Sequence, residues 1–201
     1  EGLLLHNEKI LTNKHGKKIF NILQKLKKKK IIKKIGVSFY DKKNLIKTIK
    51  RFKLDFVQIP INIFDQRFKC YFDELKKRNV QIYVRSIFMQ GLVFLNSNLI
   101  DKEINFAKKY INLLTKISTN SGLSINSLCL NYALAYDQIS KVIIGVTSSE
   151  QLSNNISLIN QFDKSDLIFK KLENLQMEDD DLSGVMKFLV DFQINRENLN
   201  K

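Results

Sequence analysis

The chain has 201 residues, 44% of them hydrophobic and 27% charged, with 34 Lys and Arg against 20 Asp and Glu for a net charge of +14. This is globular composition, enough for one core, and no apolar run approaches the roughly 18 residues of a membrane span. Cys70 and Cys129 stand far apart, outside any metal or redox spacing; this predicts free thiols in a cytoplasmic protein and argues against a four-ligand zinc site.

The first element is "GLLLH" (2–6), a short apolar run ending in one of only two histidines. Four similar runs follow: "KIGVS" (34–38), "DFVQIP" (55–60), "VQIYVRS" (80–86) and "KVIIGV" (141–146). They are continuous rather than alternating, as expected of strands buried on both faces. Helical stripes lie between them. Ile19, Phe20, Ile22, Leu23 and Leu26 mark 14–30; Leu45, Ile46 and Ile49 mark 44–52; Phe68, Phe72 and Leu75 mark 68–78. A helix pair, 101–118 and 124–136, is punctuated by 120–122, and 149–159 forms another helix after the fifth strand. The last stretch, from 162, holds the acidic run "EDDD" (178–181) and an amphipathic "VMKFLVDF". It reads as an extension of one or two helices. The expected division is a domain over 1–160 and a helical extension over 161–201.

The basic excess raises a nucleic-acid partner. The lysines, however, read as scattered over helix faces. The run "KKKK" (27–30) ends a helix, where cations suit the negative end of the dipole, and no aromatics interleave with it to stack bases. No nucleic-acid partner and no membrane partner are expected.

Strand and helix alternating without hairpin turns predicts a parallel α/β sheet, either open and doubly wound or a (β/α) barrel. In both, chemistry gathers at the carboxyl ends of strands. Those ends read His6-Asn7, Ser38-Phe39-Tyr40, Gln58 with Pro60 and Asn62, Arg85-Ser86, and Gly145-Val146-Thr147. Five polar endings point to a ring of polar groups on one face. Singly, Ser38 or Ser149 reads equally well as a helix cap, and His6 as a structural imidazole. The seven glycines never form GxGxxG, no Walker A run occurs, and no GxSxG elbow is present.

"LLLHN", "KKIGVSFY", "VQIPINIFDQRF", "RSIFMQGL" and "KVIIGVTSSEQLSNNI" together resemble, in order and spacing, the aldo-keto reductases over 1–159. The nearest likeness is to bacterial members with "GVS-x-Y" and "N-x-F-D-Q-R" segments. The resemblance implies a (β/α)8 TIM barrel of which this chain supplies strands 4 to 8, and hence a fragment of a longer protein. It implies an oxidoreductase moving hydride between NAD or NADP and a small-molecule carbonyl, with sugar-linked carbonyls among the candidates. His6 matches the family's histidine, which orients and polarises the carbonyl. The family's Asp, Tyr and Lys have no match here; neither Tyr40 nor Tyr83 stands at the acid's place. The stretch alone is therefore expected to be inactive.

For the cofactor, Ser38 and Gln58 match residues that meet the nicotinamide amide, while Phe39 replaces an Asn. Arg85 takes the place of the usual stacking aromatic and is followed by a matching Ser86. Gly145, Thr147, Gln151 and Asn155 match the segment along the adenosine half, with Asn154 where Glu is usual. Val146 and Gln151 are uncharged where NADP-preferring members carry cations, which favours NAD. No metal is implied. Two other readings stay open: a non-catalytic basic binding or assembly module, and an open five-stranded domain with another ligand at its switch point. The oligomeric state is left open.

Overall fold

The computed structural model describes residues 1–164 and 166–199. Five strands, β1 (Gly2–Leu5), β2 (Lys34–Ser38), β3 (Phe56–Pro60), β4 (Gln81–Arg85) and β5 (Ile139–Val142), pair in chain order into one all-parallel sheet. The helices are α1 (Lys9–Thr12), α2 (Gly16–Lys28), α3 (Lys42–Arg51), α4 (Phe72–Lys77), α5 (Ala107–Ser121), α6 (Ile125–Leu134), α7 (Ser149–Ser157), α8 (Leu167–Glu173) and α9 (Asp179–Leu199). Among the described residues, no helix is long and apolar enough to cross a membrane.

The chain divides into two compact units. The first comprises Glu1–Ile61, Arg67–Arg85 and Asp137–Ile144, and so contains the whole sheet with α1 to α4. Period two governs its strands. Ile35, Val37, Val57, Ile59, Ile82 and Val84 point to one face and are fully buried. The opposite face carries Leu4, Gly36, Ser38, Phe56, Gln58, Gln81 and Tyr83, and its character changes along the sheet. Phe56 lies over Gly36, where a Cβ would stand 2.4 Å from the ring, and Tyr83 stacks on Phe56 at 4.7 Å. Gln81 Oε1 accepts from Lys34 Nζ at 2.7 Å and from the Tyr83 hydroxyl at 3.1 Å. Burial on both faces therefore holds for β2 and most of β3 but fails for β4, which alternates, and for the outer strands β1 and β5, which have no buried residue.

The fifth strand also starts earlier than its apolar run suggests. Pairing with β4 sets it at Ile139, with an irregularity between Ile82 and Tyr83 where Ser140 Oγ accepts from Ile82 N. Gly145 and Val146 fall beyond it. The α2 stripe is narrower than the sequence pattern: Phe20 and Leu23 are buried, while Ile22 is exposed.

The second unit comprises Asn62–Gln66, Ser86–Tyr136 and Gly145–Lys201. It packs α5 and α6 with Phe169, Leu172, Leu182 and Val185 from the last two helices. The C-terminal extension thus forms two helices, and the acidic run opens α9, where carboxylates suit the dipole. Ser127 and Asn131 of α6 are buried but satisfied: Ser127 Oγ bonds Gln161 Oε1 at 2.6 Å, and Asn131 Nδ2 donates to Leu158 O at 2.6 Å. On α7 the expected amphipathicity is inverted, with Asn155 buried and Leu152 and Ile156 exposed. Cys70 is exposed and Cys129 fully buried; both are free. Burial pushes the Cys129 thiol well above its ordinary pKa.

Candidate active site

The carboxyl edge of the sheet lies in the first unit. Register runs across it: Leu5 pairs Val37 in the last pair of β1 and β2, His6 follows directly after β1, and Ser38 pairs Gln58, which pairs Tyr83. Parallel strands lie about 4.8 Å apart, so Ser38 and Gln58 are direct neighbours on adjoining strands. Ser38 is fully buried and donates its hydroxyl to Gln58 Oε1 at 3.0 Å. It does not cap α3; Asp41 does, accepting from Lys43 N and Asn44 N. That leaves Ser38 committed to Gln58. The Gln58 Nε2 donor has no hydrogen-bond partner among the described residues. His6 is exposed, and among the described residues its ring makes no hydrogen bond. A satisfied structural imidazole is therefore not what the fold builds here.

Arg85 ends β4. Its guanidinium lies 4.1 Å over the Tyr40 ring, and Nη2 donates to Phe39 O at 3.4 Å. Arg85 thus braces the segment after β2.

A residue outside every sequence motif organises this edge. Glu8 is buried, and its Oε2 accepts from the backbone N–H of Tyr40 at 2.8 Å and of Asp41 at 3.1 Å. Its Oε1 accepts from Asn44 Nδ2 at 2.9 Å. One carboxylate, two residues past His6, therefore clamps the turn that leaves β2. The sequence signal for it is weak, a single Glu in a short polar stretch, because its partners lie 32 to 36 residues away.

The remaining predicted residues belong to the second unit. Ser86 has φ 60°, and its carbonyl accepts from Asn62 Nδ2 at 3.1 Å. Asn62 Oδ1 in turn accepts from Phe64 N and Asp65 N, and Gln66 Nε2 donates to Ile63 O and Glu173 O. Asn62 to Gln66 of the "N-x-F-D-Q-R" segment thus form a buried turn, tied to Ser86 through Asn62 and to Glu173 through Gln66. After β5, Gly145 has open space around it. Gln151 Oε1 accepts from Thr147 N at 3.0 Å and Thr147 Oγ1 at 3.1 Å. Ser148, not Ser149, caps α7, accepting from Gln151 N. Asn155 Oδ1 accepts from Asn126 Nδ2 at 3.5 Å. Glu150, outside the residues singled out in the sequence, sits in the first turn of α7. The Ser148 hydroxyl, then its own backbone and Ser149, hold its carboxyl below the usual range.

The sequence model of the aldo/keto reductase family matches residues 4–176. The chain belongs to the aldo/keto reductase family. Solved structures agree on the fold. An aldo-keto reductase from Bacillus halodurans (holo form) superposes with a TM-score of 0.75 at 19% identity, covering 89% of this chain and 62% of its own. A thermostable aldo-keto reductase in complex with the inhibitor epalrestat gives 0.64 at 20% identity, over 87% of this chain and 59% of that one. The glycerol dehydrogenase of Gluconobacter oxydans gives 0.64 at 16% identity, over 87% and 57%. The chain thus spans less than two thirds of each relative and corresponds to a partial barrel. A search of curated proteins returned no match.

Among the described residues, no group of three His, Cys, Asp or Glu is placed to hold a metal ion. The donor set does fit a carboxamide: the open Gln58 Nε2 offers a donor, and the Ser38 oxygen retains acceptor capacity beside it.

Proposed function

We propose that the protein carrying this chain is an oxidoreductase that moves hydride between a nicotinamide cofactor and a small-molecule carbonyl, sugar-linked carbonyls included. The observation that carries this reading is the part-buried Ser38–Gln58 bond on β2 and β3, which presents a carboxamide-sized donor and acceptor pair, with His6 directly after the neighbouring strand β1. A bound nicotinamide supplies the hydride. Ser38 and Gln58 hold its amide and set the ring's orientation. The exposed His6 ring meets the carbonyl oxygen and stabilises charge that develops there. Arg85, through Tyr40, keeps the turn beside Ser38 in place.

Ser86, Gly145, Thr147, Gln151 and Asn155 correspond, by the family resemblance, to residues that meet the adenosine half. Val146 and Gln151 offer no cation to a 2′-phosphate, and the ionised Glu150 disfavours one, so NAD is preferred over NADP. None of the family's Asp, Tyr and Lys has a counterpart in this chain, so these residues orient substrate and cofactor without supplying the proton. The stretch alone is inactive on this account. The test is carbonyl-dependent oxidation of NADH and NADPH. Purified chain should give no turnover. In a protein carrying the complete site, His6→Ala should lower kcat by about 100-fold while leaving cofactor affinity within about twofold. Robust turnover by the chain alone, or an unchanged rate for His6→Ala, would contradict it.

A further inference from the structure

In a parallel sheet every helix-to-strand turn lies at the amino ends of the strands, opposite the candidate active site. In the first unit three such turns, taken with the helix ends that lead into them, are basic: "KKKKIIKK" (27–34) before β2, "KRFK" (50–53) before β3 and "KKR" (76–78) before β4. The sequence reading spreads these lysines over solvated helix faces. The fold instead gathers them at one end of the sheet. Three neighbouring strands place the turns within about 10 Å, close to the Debye length of about 8 Å in physiological salt, so their potentials add.

The only acid within these turns and the residues joining them to the strands is Asp55. It is spent on Lys27 Nζ at 2.5 Å and Ile35 N at 2.8 Å. The two arginines are also engaged: Arg51 lies over Phe52 at 5.4 Å, and Arg78 bonds Glu74 and Ile49 O. Lys34 donates to Gln81, and what remains is a field of lysines, Lys28 to Lys30, Lys33, Lys50, Lys53, Lys76 and Lys77, all of them exposed.

Two details say what such a field meets. Ile31, at the apex of the longest turn between Lys30 and Ile32, is 65% exposed. Lys30 adopts φ 60°, with Lys30 N bonded to Lys27 O and Ile31 N to Leu26 O. This is the helix-ending turn in which glycine is the unstrained choice. The chain keeps a charged residue there and projects an isoleucine beside it. No exposed aromatic ring lies on the three turns to stack a base, and lysine point charges read no base edges. An apolar knob ringed by lysines matches a lipid interface better than a nucleic-acid backbone.

We infer that this amino-end face docks on an anionic phospholipid surface, the lysines of the three turns meeting lipid phosphates and Ile31 entering the headgroup layer. That no helix among the described residues is long and apolar enough to cross a membrane has no bearing on such contact, and the inference departs from the expectation of no membrane partner. The inference does not depend on the reductase reading.

The test is co-sedimentation of the full chain with phosphatidylcholine vesicles carrying about 30% phosphatidylglycerol, against pure phosphatidylcholine and duplex DNA. Binding should require the anionic lipid and fall steeply with salt. Lys29→Glu with Lys30→Glu should weaken it at least about tenfold, and Ile31→Ser about tenfold. Lys17→Glu with Lys18→Glu makes the same charge change at the other end of α2, about 17 Å away, and should have little effect. No anionic-lipid binding, or equal loss in the two double variants, overturns the proposal. DNA binding without vesicle binding, insensitive to Ile31→Ser, overturns it in favour of nucleic acid.

Discussion

Glu8→Ala should loosen the carboxyl edge of the sheet. In the parent, one buried carboxylate satisfies two backbone amides and the Asn44 side chain at 2.8 to 3.1 Å. Hydrogen bonds to charged groups contribute about 1.5–3 kcal/mol each, and buried donors left without an acceptor cost about 1–3 kcal/mol. Tyr40 and Asp41 are exposed residues, so water can reach part of the gap. We therefore take the low end, about 3 kcal/mol in total. For a chain of this size that corresponds to a Tm lower by about 6–12 °C. Glu8→Gln should recover only part of the loss, because its Nε2 must face one of the donors that the carboxylate now accepts from. Urea unfolding followed by far-UV circular dichroism measures both variants, with unchanged m-values confirming the same transition. A Glu8→Ala midpoint equivalent to less than about 0.5 kcal/mol of change would refute the clamp.

Gly36→Ala should destabilise by about 1–3 kcal/mol through overpacking, since the new Cβ would meet the Phe56 ring at 2.4 Å with Tyr83 stacked on that ring. Phe56→Leu should recover part of this in a double-mutant cycle by urea unfolding, and zero coupling would show that the ring is not the obstacle. In the second unit, a hydrogen bond from Lys109 at 2.9 Å, with Tyr110 helping, holds Asp181 below the usual carboxylate range. A depressed folded pKa adds stability above the unfolded value, about pH 4, and that contribution is lost as pH falls through the folded one. The stability gap between parent and Asp181→Asn should thus be constant near neutrality and close below about pH 4; a gap that persists in acid would contradict the pairing.

Strands β1 to β4 are legible to within one residue, because short Leu, Val, Ile and Phe-rich runs set between polar residues and separated by helical stripes have few other structures open to them. The fifth was not, since pairing with β4 and the irregularity at Ile82 decide its limits rather than its apolar run. Helix α1 escaped notice because it is four residues long, started by Asn7 Oδ1 accepting from Lys9 N. Of the site, the polar strand endings stood in the sequence, and the Ser38–Gln58 bond follows from them once register is known. Glu8 did not, because a carboxylate that binds distant backbone amides leaves no spacing to read. The placing of caps at Asp41 and Ser148 rather than at Ser38 and Ser149 depends on where the backbone turns, which residue type alone leaves ambiguous.

The central claim is that this edge recognises a nicotinamide. Titrating the chain into NADH and following the emission of the reduced nicotinamide tests it most directly. We predict a saturable change, weakened by about tenfold in Ser38→Ala and in Gln58→Ala and unaltered in His6→Ala. No saturable change, or the same affinity after both Ser38→Ala and Gln58→Ala, would contradict it.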